Sequence, residues 1–111
     1  MPIPGLQKLL RPVLKVLADG NEHRVEQIRE RMKSQFGVTS REFAQKNKAG
    51  AQMFVNRVAW VFAHLNMEAG PLGHPKAATL VREGVYRITK RGNALLKSNP
   101  LELTIKDLRV L

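Results

Sequence analysis

The sequence predicts an α+β fold: a helical core closed by a small antiparallel β-wing, in the order of a winged helix-turn-helix. Three observations lead there. Apolar residues recur at helical spacing through most of the first 69 positions. Two β-favouring runs, Thr79-Leu80-Val81 and Val85-Tyr86-Arg87-Ile88, flank a polar Arg82-Glu83-Gly84 turn. The segment from Arg41 to Lys97, which holds the last long helix and the hairpin, carries ten of the nineteen Lys and Arg residues against three acids.

Each element has its own signal. Pro2 and Pro4 keep the start extended. Leu6, Leu9, Leu10, Val13, Leu14 and Leu17 then form a helical stripe, with Pro12 predicting a kink or a delayed start near Arg11. Asp19-Gly20 ends it, since glycine accepts the left-handed cap. Asn21-Glu22-His23-Arg24 reads as a polar bridge or minimal strand. Val25, Ile28, Met32 and Phe36 mark a second helix stopped at Gly37. Thr39 with Glu42 fits a capping box that opens a short third helix to about Gln45. Phe54, Val58, Val61, Phe62, Leu65 and Ala69 give the fourth helix, expected to run roughly 27 Å to Gly70. Leu72 is read as the first inward residue of the wing, and the hairpin allows two registers. Leu95 and Leu96 sit on a last helix that stops before Pro100. Residues 1–100 are read as one domain. Residues 101–111, with Leu103, Ile105, Leu108, Val110 and Leu111, are too apolar for a free tail and are expected to pack on the core or on a partner.

Composition narrows the function. The 111 residues are 43% hydrophobic and 25% charged, the balance of one globular domain rather than a disordered chain. The net charge of +10 and a pI near 10.7 are the electrostatic footprint of nucleic-acid binding. There are no cysteines, hence no disulfide framework, thiolate metal site or thiol nucleophile. No apolar run spans a bilayer and the N-terminus is not that of a signal peptide, so no membrane partner and a cytoplasmic, nucleoid-associated location are expected. His23, His64 and His74 lack metal-ligand spacing, Asp occurs only at 19 and 107, and no P-loop or GxSxG is present. No cofactor, metal or catalytic residue is assigned.

The candidate contacts follow from the helix-turn-helix order, in which the second helix turns its N-terminal residues to base edges. With Phe54 and Val58 inward, Gln52, Asn56 and Arg57 are left toward the outside. Asn and Gln suit adenine and Arg suits guanine. The opposing reading is that Asn56 or Arg57 locks the fold. Lys46 and Lys48 in the preceding turn are phosphate candidates, as are Lys76, Arg82 and Arg87 in the wing. Lys90 and Arg91 open the last helix, where the macrodipole disfavours cations, which hints at a phosphate nearby. Trp60 and Tyr86 are too scattered for a stacking platform and are expected in the core or at its edge.

Several of these residues also occur in a known pattern. Asn56-Arg57-Val58-Ala59-Trp60, Leu65, Ala69-Gly70-Pro71-Leu72 and Arg87-Ile88-Thr89-Lys90-Arg91-Gly92 resemble the N-terminal domain of Mrr-type restriction proteins. The opening is similar too, in Met1-Pro2-Ile3-Pro4, Leu14-Lys15-Val16-Leu17-Ala18-Asp19-Gly20 and Glu22-His23. The resemblance reaches to about Pro100. It implies a winged-helix module that binds double-stranded DNA and that, in the family, precedes a separate nuclease domain acting on modified DNA. The nuclease activity is not carried over to this chain. Pro71 stands where the family tends to have leucine, and the wing is longer by about Ala77 to Glu83. The rival expectation is a protein-interaction winged helix that forms a homodimer or heterodimer through the long helix or the tail. A weaker one is structured RNA.

Overall fold

The computed structural model describes residues 4–46, 52–67 and 76–108. Among these it is α+β, with six helices and a three-stranded antiparallel sheet, an arrangement compatible with a winged helix. Helix α1 (Leu6–Val16) continues across Pro12, so the start is not delayed. Pro12 lacks the N–H that would bond the Lys8 carbonyl, and the buried stripe of Leu9, Leu10, Val13 and Leu14 holds the helix across that gap. A 3-10 turn (Leu17–Asp19) follows, closed by Gly20 at φ 81°.

Helix α2 (Val25–Gln35) ends in a Schellman arrangement. The Gly37 N–H donates to the Ser34 carbonyl and the Val38 N–H to that of Lys33, with Gly37 at φ 61°. The capping box expected at Thr39 is formed: Thr39 Oγ1 accepts from the Glu42 N–H and Glu42 Oε1 accepts from the Thr39 N–H. It starts α3 (Ser40–Ala44). Phe43 fixes α3 in place, its ring 6.1 Å from that of Phe54 and under the Lys33 ammonium at 4.5 Å.

Helix α4 (Met53–Leu65) is shorter than the sequence suggested and does not reach Gly70. Its last turn tightens as the Met67 N–H closes on His64, and the Leu65 carbonyl accepts from Ala77 at 2.9 Å. Asn66 Oδ1 accepts from the Leu80 N–H. The helix therefore stops where its end is handed to the hairpin. The expectations for Ala69, Gly70 and Leu72 fall outside the described residues.

Strands β2 (Ala78–Arg82) and β3 (Val85–Ile88) turn at Gly84, φ 73°, with a bulge between Leu80 and Arg82 that resolves the register. The polar bridge is a strand, β1 (His23–Arg24), and pairs with β3 to give the order β1-β3-β2. The hairpin tip is tied to this strand, because the Val25 N–H donates to the Gly84 carbonyl and Arg82 pairs with Glu22.

Helix α5 (Lys90–Ser98) is capped by Thr89, whose Oγ1 accepts from the Gly92 N–H and reaches the carbonyls of Lys76 and Ala77. Helix α6 (Ile105–Leu108) returns the tail to the core, where Leu103 and Leu108 are buried. The core is one cluster built mainly by α1 and α4, with Phe54, Val58, Val61, Phe62 and Leu65 on the inner face of α4.

Gly92 is buried against Ala77, just before β2, and Ile88 at the end of β3. A Cβ there would lie 2.2 Å from the Ala77 carbonyl oxygen and 2.6 Å from Ile88 Cγ1. Gly92→Ala is expected to destabilise the fold by about 1–3 kcal/mol, read by urea denaturation. Unchanged stability would mean that α5 does not press on Ala77 and Ile88 this closely.

Candidate nucleic-acid interface

Helix α4 has two opposed faces, and the interface candidates sort around them. Its inner face is wholly buried. Its outer face presents Gln52, Asn56, Ala59, Trp60 and Ala63, the last four lying four, seven, eight and eleven positions beyond Gln52 and so on one side of the helix. Gln52 is the exposed N-cap and its side chain makes no cap hydrogen bond. Asn56 is half-buried, and among the described residues its side chain has no hydrogen-bond partner. The two amides are one helical turn apart and aimed outward.

Lys46 lies beside them. Its backbone forms a bridge with that of Gln52, and the Met53 N–H donates to the Gln45 carbonyl. These contacts bring an exposed ammonium to the start of α4. Lys48 lies outside the described residues.

Arg57 points elsewhere. Its Nη1 donates to the Pro4 carbonyl at 3.1 Å, joining α4 to the start of the chain. One nitrogen of the guanidinium thus has the fold-locking role weighed above. Arg91 is similar: its Nη2 donates to the Leu108 carbonyl at 2.8 Å, tying α5 to α6. That contact accounts for a cation in the first turn of α5 without a phosphate. Arg82 is exposed and paired with Glu22, a surface ion pair worth at most about 1 kcal/mol that another anion can replace. Lys76 is half-buried at the foot of the hairpin. Arg87 on β3 and Lys90 at the start of α5 are exposed.

The aromatic expectations divide. Tyr86 packs on Phe62 with ring centroids 4.6 Å apart, at the core edge as expected, and burial pushes its phenol up. Trp60 is not a core residue: it is 54% exposed on the outer face of α4, its ring 6.0 Å from that of His64. The signal was available, because Gln52, Asn56 and Trp60 are spaced by four. Met67, Leu80 and Val81 are also exposed.

Two carboxyls outside this face are held below their ordinary values. Asp19 is lowered first by the hydrogen bond from His23 Nε2 at 2.9 Å, and Glu42 first by the Thr39 N–H. Both stabilise local turns. Among the described residues no three His, Asp or Glu side chains gather as a metal-holding group, and no helix is long and apolar enough to cross a membrane.

This fold and face define a basic α+β domain, compatible with a winged helix, that carries an outward-facing amide pair. The model of the Mrr N-terminal domain family matches residues 6–98, most of the chain, and the chain belongs to that family. No curated protein and no solved structure matches it.

Arg57→Ala is expected to lower stability by about 1–3 kcal/mol, because the Pro4 carbonyl loses a charged donor. A thermal melt identical to that of the parent chain would remove this structural role.

Proposed function

We propose that this domain binds double-stranded DNA as a winged helix, with the N-terminal half of α4 in the major groove. One observation carries the reading. Two outward amides, Gln52 and Asn56, have no side-chain hydrogen-bond partner among the described residues and stand beside an exposed lysine at the start of the helix-turn-helix second helix. Amides left outward at such a position suit base edges, and the lysine suits a phosphate. Family membership and the net charge of +10 support the same partner.

In this reading Lys46 and Lys48 hold the backbone on one side of α4, and Arg87 and Lys90 hold it further along. Lys76 and Arg82 contribute from the hairpin. Arg57 and Arg91 act mainly by keeping α4 and α5 in position. The domain binds and does not cut, and it works in the cytoplasm on nucleoid DNA as the targeting part of a restriction system.

A second reading has a specific observation behind it. Trp60, Met67 and Leu80 are 54%, 43% and 46% exposed, which suits a protein-interaction face and a dimer. The tail is a poorer docking element, since Leu103 and Leu108 are taken up by the chain's own core.

Titration of a fluorescent duplex between about 50 and 200 mM salt separates the two readings. Six neutralised phosphates give a slope of log affinity against log salt near −5. Lys46→Ala with Lys48→Ala is expected to weaken binding to every duplex and to flatten that slope by about 1 for each lysine. Affinity that does not change with salt would sink the groove model. A dimer on gel filtration that Trp60→Ala dissociates, with no duplex bound, would establish the second reading instead.

A further inference from the structure

The outer face of α4 carries no cation. Of the residues from Met53 to Leu65 only Arg57 is Lys or Arg, and its Nη1 is held by the Pro4 carbonyl at the side of the helix. What faces out is Gln52, Asn56, Ala59, Trp60 and Ala63: two amides, two methyl groups and an indole.

This set has a chemical preference. In the major groove guanine offers two acceptors, and Arg or Lys is the side chain that commonly satisfies both. Adenine offers an acceptor and a donor side by side, N7 and N6, which match the N–H₂ and C=O of Asn or Gln. Thymine adds a C5-methyl group, which favours apolar contact. We infer that α4 selects A·T base pairs, Gln52 and Asn56 bonding adenines and Ala59, Trp60 and Ala63 covering thymine methyls. This rests on the duplex-binding reading above and adds the class of target.

The dimensions agree. Gln52 and Trp60 are eight residues apart, a rise of about 12 Å along the helix. At about 3.4 Å per base pair that covers three to four pairs, so the target is a short A·T run. Phosphate contacts from Lys46, Arg87 and Lys90 would hold any duplex equally and so leave the choice to α4.

The test compares three duplexes with identical flanks and an A·T core, a G·C core, or an A·U core that lacks the thymine methyls. Each is titrated with the whole chain by fluorescence anisotropy at low salt. The A·T core is expected to bind at least about fivefold tighter than the G·C core for each amide engaged, and tighter than the A·U core. Asn56→Ala and Gln52→Ala are expected to remove the A·T over G·C preference, and Trp60→Ala the A·T over A·U difference. All three are expected to keep the salt slope. Thermal melts confirm that the variants fold, since Gln52 and Trp60 are exposed, Asn56 is only half-buried and no side chain among them makes a cap hydrogen bond. Equal binding of the A·T and G·C cores, or preference for G·C, would overturn this inference and leave duplex binding intact. A·U bound as tightly as A·T would overturn the methyl contacts. Failure to bind any duplex at low salt would overturn the duplex reading and this inference together.

Discussion

The relation between α4 and the hairpin depends on the backbone of one small residue, Ala77. Its N–H donates to the carbonyl of Leu65, the last residue of α4, and its carbonyl accepts from the Thr89 N–H, just before α5. The Thr89 hydroxyl reaches the same carbonyl, and Gly92 lies close enough to it to exclude any side chain. The end of α4, the start of the hairpin and the start of α5 meet at one residue. Larger side chains at 77 or 92 would push α5 off the sheet, and the angle between α4 and the wing would go with it. The Thr89-Lys90-Arg91-Gly92 run has a physical reason in this junction: the threonine caps and bridges, and the glycine allows the approach.

The same economy governs the cations. Three of the arginines in the helix and wing region serve the fold: Arg57 on Pro4, Arg91 on Leu108 and Arg82 on Glu22. The net charge of +10 therefore overstates what is turned outward at the candidate interface. Among the described candidate contacts, the exposed cations Lys46, Arg87 and Lys90 lie outside α4: just before it, on β3 and at the start of α5. In the proposed duplex complex such an arrangement would divide the work: cations outside α4 would supply long-range attraction insensitive to base identity, and the neutral face of α4 would discriminate only at contact.

Much of the fold was legible in local pattern. The α4 stripe, the capping box at Thr39, the glycine-ended helices and the Gly84 turn were readable because each depends on neighbours within a few positions. The amides Gln52 and Asn56 were legible for the same reason, since helical periodicity turns them away from Phe54 and Val58. Trp60 departs from the tendency of aromatic residues to lie inside, because its own helical phase turns it outward. Apolar periodicity continues to Ala69, but α4 ends at Leu65, whose carbonyl accepts from the Ala77 N–H.

The sequence by itself determined the helical phases, the caps and the outward amides, because these follow from dihedral preferences and side-chain spacing along a short stretch of chain. Only the tertiary structure decided that Arg57 reaches a carbonyl 53 residues away, that β1 joins the wing as its third strand, and that the tail returns Leu103 and Leu108 to the core. Such contacts depend on which distant surfaces the packed core brings together, and no local periodicity encodes that.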